Sequence, residues 1–357
     1  MPINIDYAKA SQILLDALEL AKSDDRLPVE WTSHARSVFE LESKTWTPAF
    51  ATLLLAKATD ERVDTMSLKA EPNVPNAYSA RGLCHKVIVP AAVDHGFSIR
   101  NTGREPLNNQ PFFRYDRIDK IERVRKPKDR EYFFDVTERA NSLSAPQALL
   151  ALASFLRVAL GFAAAARNVS VRTDGLTPNG ARIAAENFMR SDAPDRPQRL
   201  QAFAASCLDL VFPTVKTRRI NDPSRDLPGD VHGLFNGSSV MAVEVRGKAV
   251  TGSDLGSFAR ACESAGIFRA VMFVDAPQQS PLDARGVVRD AGLEWTQLVV
   301  FDSAPALLAQ ALLWANRPLE ESVADFSKGL LERLREIEVK TATLLEWSQA
   351  VAVARSR

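Results

Sequence analysis

Two carboxylates, Asp230 and Glu244, and two cations, Arg246 and Lys248, fall within one short stretch, DLPGDVHGLFNGSSVMAVEVRGK (226–248). Asn236-Gly237 between the two acids spells a hairpin turn. Glu244 lies in the apolar run Val240 to Val245, which reads as a strand. An acid buried there is costly to ionise unless it is paired or holds a cation. Alternation along a strand puts Glu244, Arg246 and Lys248 on one face and points Val243 and Val245 into the core. Asp230, at the start of the hairpin, folds back beside Glu244. Two carboxylates and a cation meeting at a strand end suit Mg²⁺, which takes one or two carboxylates, a backbone carbonyl (here that of Val245) and waters. Asp222 and Asp226 are alternatives to Asp230, but Asp222-Pro223 reads as a turn, whereas Gly229 and Val231 frame Asp230 as a strand entry. Between the cations, arginine stays charged and cannot deprotonate a water. Lys248 is therefore the preferred partner, with Arg246 open as a stabiliser of phosphate charge. The competing reading of the stretch is an edge strand with surface charges.

A second stretch, FSIRNTGREPLNNQPFFRYDRIDKIERVRKPKDR (97–130), is dense in planar donors: Arg104, Asn108, Asn109, Gln110, Arg114 and Arg117. These side chain types match base edges in the major groove. Lys120, Arg123, Arg125, Lys126, Lys128 and Arg130 follow and suit phosphate contacts. Phe112-Phe113 would anchor the loop to a core. Asp116, Asp119, Glu122 and Asp129 dilute the basic run, so a solvated loop backed by a mixed-charge strand competes with the nucleic-acid reading. Lys216, Arg218 and Arg219 form a further basic patch just before the acid-bearing hairpin.

The string TGREPLNNQPFFRYDRI, with GLCHKVIVP upstream and AVEVRGK downstream, resembles the SacI-type family of type II restriction endonucleases. The acid, hairpin and glutamate likewise resemble the PD-(D/E)xK nuclease core, with one departure: the position two after Glu244 is Arg246 and not lysine. The resemblance runs from about residue 78 to the end of that core. It implies a Mg²⁺-dependent homodimer that cuts both strands of double-stranded DNA at a short palindrome, accompanied by a DNA methyltransferase acting on the same site. It also makes Glu186, on the helix before the hairpin, a candidate helper in metal binding. Two rival functions remain: a DNA-binding protein that does not cleave, and a repair or defence nuclease of the same core without strict site preference.

The elements that must position these residues read as an α/β (mixed α+β) protein. Helices are expected over 6–22, 30–42 and 45–57, and over 76–96 with a break at Pro90. Pro146 to Ala166 is apolar enough to suggest a membrane span, but Arg157 in its middle argues for a buried central helix. Helices over 180–189 and 197–212 precede the hairpin. A helix over 255–265 capped from Thr251, a strand over 269–275, a helix over 281–291 and a strand over 295–301 complete a mixed sheet flanked by helices. Three regions follow: 1–166, mainly helical and carrying recognition; 167–304, catalytic; and 305–357, helices that cover the sheet or dimerise.

The 357 residues carry 45 basic and 44 acidic side chains, so no global field marks a nucleic-acid binder and any such surface is local. Cys84, Cys207 and Cys262 sit far apart in apolar contexts, which reads as reduced thiols in a cytoplasm. No Gly-rich phosphate loop, nucleophile elbow or His-Glu zinc motif supports another enzyme class.

Overall fold

The computed structural model describes residues 1–100, 105–108, 111–124, 126–189, 192, 195–217 and 227–356. They form two compact units, Met1–Arg167 and Asn168–Arg357.

The first unit is helical: α1 (Tyr7–Lys22), α2 (Val29–Glu40), α3 (Trp46–Thr59), α4 (Ala80–Leu83), α5 (Val89–His95), α6 (Pro127–Asn141) and α7 (Ala145–Asn168). Asp6 starts α1 by accepting the N–H groups of Ala8 and Lys9. The helix expected to break at Pro90 does not break. Proline lacks an N–H and its ring crowds the carbonyl four residues back. The chain answers with a π-helical turn, Cys84–Ile88, in which Val89 N–H reaches back to the Cys84 carbonyl.

The central position in this unit belongs to α3 and not to α7. Every residue of α3 is buried, including Lys57, whose ammonium donates to the Val63 carbonyl at 3.2 Å. Helix α7 is long and apolar enough to cross a bilayer, yet half of its most apolar window is buried inside the protein. Its Arg157 caps the end of α1, donating to the carbonyls of Leu20, Ala21, Ser23 and Asp25 at 2.8–2.9 Å. An arginine that looks misplaced in an apolar run thus satisfies the carbonyls a helix end leaves open.

No mixed-charge strand forms among the described residues 115–124 beyond an isolated bridge between Ser67 and Arg117, and the chain continues from Pro127 as helix α6. Phe133, Val136, Thr137 and Ala140 are its buried residues, at helical spacing, and its many charges face outward.

The second unit comprises α8 (Pro178–Met189), α9 (Arg196–Asp209), β1 (Thr214–Thr217), β2 (Val231–Phe235), β3 (Ser238–Arg246), α10 (Gly252–Ser264), β4 (Arg269–Val274), α11 (Ala284–Asp290), β5 (Gln297–Phe301), α12 (Ala304–Trp314), α13 (Leu319–Glu336) and α14 (Thr341–Arg355). The sheet runs β1-β2-β3-β4-β5, antiparallel through β3 and parallel from β3 to β5. Asn236 and Gly237 hold φ of 50° and 80°, the left-handed pair a tight hairpin demands. Helix α10 begins on a capping box between Thr251 and Asp254.

Both faces of the sheet are covered. Ala242, Ala270, Met272 and Val274 pack with Leu255, Phe258 and Cys262 of α10. On the other face Phe203 of α9 meets Phe273 of β4 at 5.7 Å. The aromatic chain continues to Phe326 of α13, Trp347 of α14 and Phe188 of α8. The C-terminal helices therefore build the layer outside α9. Strand β1 was not foreseen; only four residues long, it carries too little alternation to stand out.

Candidate functional site

Strand β3 enters the sheet between two neighbours, so Glu244 has a fixed position: it stands opposite Met272 of β4 and next to Val243, which pairs with Val231 of β2. Its side chain is only 14% exposed. Because Ala242 two residues earlier packs under α10, Glu244 lies on that same covered face. The Cys262 thiol of α10 registers this: burial, aided by the Glu244 charge, pushes it up to about 12.

Arg246 forms an ion pair with Glu244. The pair supplies the counter-charge that a half-buried carboxylate requires. Lys248 is exposed and makes no ion pair with the described residues. The expectation that it shares the face of Glu244 by alternation does not carry that far, because strand pairing stops at Arg246.

Asp230 precedes β2. Its N–H donates to the Val243 carbonyl at 2.8 Å, and its carboxylate accepts the Val245 N–H at 2.9 Å. The hairpin therefore brings Asp230 back onto the backbone beside Glu244. Gln201, buried on α9, donates to the Asp230 carbonyl at 3.3 Å. Sequence reading missed Gln201; its only signal is a polar residue on an otherwise apolar helix face. Among the described residues no three His, Cys, Asp or Glu side chains converge as a metal cluster. The oxygen donors available at this end of β3 are the carboxylates of Asp230 and Glu244 and the backbone. Asp222 and Asp226 lie outside the described residues. Glu186 is half-buried on α8.

Lys216 is exposed on β1, opposite His232 of β2. Arg218 and Arg219 lie outside the described residues.

In the first unit, the donor-rich stretch forms two short turns, Pro106–Asn108 and Phe112–Arg114. Phe112 is fully buried, edge-on to Trp46 at 5.2 Å, whereas Phe113 is 41% exposed. Of the two phenylalanines only Phe112 is an anchor, and Leu107 of the first turn is buried in the same core. Arg81 of α4 adds a second hold by donating to the Phe112 carbonyl at 2.6 Å. Asn108 is exposed, with its amide on Glu105 at 3.1 Å. Arg114 is exposed over the Phe113 ring. Arg117 is bound to Asp64 and, at 3.0 Å, to Asp119. Further along, Lys126 pairs with Glu42 at 2.8 Å, and Arg130 donates to the Ile121 carbonyl at 2.7 Å. Arg104, Asn109, Gln110 and Arg125 lie outside the described residues.

A mixed sheet covered on both faces, with two acids brought to the end of its central hairpin, is the α/β arrangement expected from the sequence. Residues 9–161 match the SacI restriction endonuclease N-terminal domain. Over 357 residues the chain is 36% identical to the type II restriction enzyme SacI of Streptomyces achromogenes, an alignment spanning 98% of this chain and 99% of that enzyme. The chain belongs to the SacI-type family of type II restriction endonucleases.

Proposed function

We propose that the protein hydrolyses both strands of double-stranded DNA at one short palindromic sequence, as a Mg²⁺-dependent homodimer in the cytoplasm, alongside a methyltransferase that protects the same site. The observation that carries the catalytic part is the bond from Val245 N–H to the Asp230 carboxylate. It brings a second acid to the β3 end that already holds Glu244.

The donors there are all oxygen, which suits Mg²⁺ by type, and two carboxylates with one carbonyl leave room for water and phosphate. Asp230, Glu244 and the Val245 carbonyl would hold the ion. The chemistry such a held cation would supply is Lewis-acid polarisation of the scissile phosphate and a more acidic attacking water. The residues of the chain do the rest. Arg246, which pairs with Glu244, would stand beside the phosphate as a fixed positive charge. Lys248, without an ion pair among the described residues, orients the attacking water or neutralises the charge that develops. In the first unit Asn108 and Arg114 are exposed donors for base edges, joined by Arg104, Asn109 and Gln110. Arg117 contributes by stiffening the stretch through Asp64 and Asp119 and offers its remaining N–H groups. Lys216, Arg218 and Arg219 contact phosphates. A palindrome read by identical subunits accounts for the two-fold dimer.

The test is plasmid digestion with Mg²⁺ beside Asp230→Ala and Glu244→Ala. Discrete fragments from the parent, absent with both variants, are expected, and their ends give the sequence read. A plasmid that is shifted on a gel but never cut would make this a binding protein. A smear without discrete bands would make it a nuclease lacking site preference.

A further inference from the structure

We propose that Arg196 is the positioning residue of this site, fixing the backbone that carries Lys248 relative to Glu244; the proposal rests on the nuclease reading above. Arg196 is the first residue of α9. The positive end of a helix dipole is an unfavourable place for a cation, so the stability of α9 itself does not call for it. The guanidinium serves three other segments. Its Nε donates to the Met189 carbonyl at the end of α8 at 3.1 Å. One terminal nitrogen donates to the Gly247 carbonyl, just past β3, at 3.2 Å. The other donates to the Asp275 carbonyl, just past β4, at 2.6 Å, and pairs with the Asp275 carboxylate at 3.2 Å.

The position of Gly247 gives this grip its meaning. The β3–β4 ladder stops at Arg246, whose carbonyl accepts from Asp275 N–H at 2.9 Å. One residue later the ladder is gone, and the bond from Arg196 holds the chain in its place. Gly247 is shaped for that hold: a Cβ there would lie 3.1 Å from a terminal nitrogen of Arg196 and 3.3 Å from Leu200. Lys248 is the next residue. Its starting point is therefore set by Arg196, while Glu244, three residues before Gly247, is set by the sheet. The planar fork spreads its donors over three nitrogens, so carbonyls on three separate segments each meet a different one. The ammonium of lysine has three donors on a single nitrogen at the end of a flexible stem and fits this spread less well. Glu186 sits one turn before Met189 on α8, so the same side chain also ties that helix end to the exit of β3.

The experiment compares parent, Arg196→Lys, Arg196→Met and Gly247→Ala. Two quantities are read on the same supercoiled plasmid: the single-turnover cleavage rate with Mg²⁺ and enzyme in excess, and the binding Kd with Ca²⁺ in place of Mg²⁺. Displacing a reacting group by about 1 Å costs on the order of 10²-fold in rate, so Arg196→Met should cut about 10²-fold more slowly with Kd within threefold. Arg196→Lys should recover part of that loss, and Gly247→Ala should cost about tenfold on the same scale. Should Arg196→Met fail to fold, the other two variants decide the matter alone. Parent-like cleavage by both of them, or a rate loss matched by an equal loss in binding, overturns the proposal. A parent protein that does not cut overturns the nuclease reading itself, and this role with it; parent cutting with unaffected variants removes only Arg196.

Discussion

In the second unit the candidate catalytic acids stand on or beside paired strands: Glu244 lies within the β3 ladder, and Asp230 is stitched to it through Val245. In the first unit the candidate base-reading residues end three-residue turns, Asn108 on one and Arg114 on the other, held by the buried Phe112 and by the bond from Arg81. A hydrolytic site must place oxygen donors to within fractions of an ångström, and a sheet does this. A reading surface must reach into a groove and tolerate adjustment, which short turns pinned by a few buried side chains, Leu107 and Phe112, allow. The candidate acids thus sit on the more rigid of the two frames.

The contrast breaks most sharply at the acids. Removing a metal-holding carboxylate forfeits several kcal/mol of transition-state stabilisation, so Glu244→Ala should slow cleavage by about 10³-fold or more. Gel-shift affinity with Ca²⁺ should stay within tenfold, and parent-like cutting by this variant would sink the site assignment. Next in size, Phe112→Ala empties a fully buried position and should cost roughly 3–5 kcal/mol in the unfolding of the first unit, read by calorimetry or denaturant titration. If the anchor idea is right, plasmid binding weakens as well; a stable variant with parent affinity would show that the turns do not depend on Phe112.

Arg157→Met tests the frame of the first unit. Four backbone carbonyls at the end of α1 lose their donor. Some of them reach water, so a loss of about 1–3 kcal/mol is expected, visible as a lower melting temperature. Arg114→Ala, by contrast, should leave stability within about 0.5 kcal/mol, as exposed substitutions do. It should weaken binding to a cleavable plasmid by about tenfold, in line with one base contact of ~1–3 kcal/mol. Equal weakening on cleavable and uncleavable DNA would demote Arg114 to a phosphate contact.

The smallest effect is a pH response. The Lys69 ammonium holds the Asp116 carboxyl below its usual range, the Arg62 guanidinium does so for Asp60, and the Thr251 N–H and hydroxyl do so for Asp254. Each carboxyl is depressed in the folded state, so its contribution is complete above the ordinary carboxylate value near 4 and is lost as pH falls below it. Two of these groups belong to the first unit and one to the second. Acid titration followed by separate probes should therefore show both units weakening below about pH 4. Flat stability down to pH 2 would contradict the assignment.

Much of the second unit was legible because its signals are local. Asn236-Gly237 names its own turn, Thr251 and Asp254 their own cap, and the apolar runs of β3 and β4 their own strands. That the hairpin draws Asp230 back toward the end of β3 could be read from its sequence alone. What stayed hidden depends on distant partners. The ion pair of Arg246 with Glu244 could be anticipated from alternation, but the grip of Arg196 on Gly247 joins residues 51 positions apart. Helix α6 hid behind its charges, since a run chosen for basic residues draws attention away from Phe133, Val136 and Ala140. Helix α3 looked like any other apolar helix, and that it is enclosed on every side is a property of its neighbours.

The order of the sheet equals the order of the chain, from β1 to β5 without a strand inserted out of turn. Each strand therefore finds its partner among segments already made, but only the β2–β3 turn is short. The parallel strands β3, β4 and β5 are joined through the longer crossovers that hold α10 and α11, so local closure favours the hairpin first. The hairpin that gathers Asp230 and Glu244 can zip before β4 exists. The layer outside α9 comes last, because Arg333 of α13 reaches back 124 positions to Asp209. Within the second unit, the hairpin that carries the candidate acids precedes its outer layer in the chain. A chain halted after β5 should thus hold an assembled hairpin over an uncovered, aggregation-prone α9.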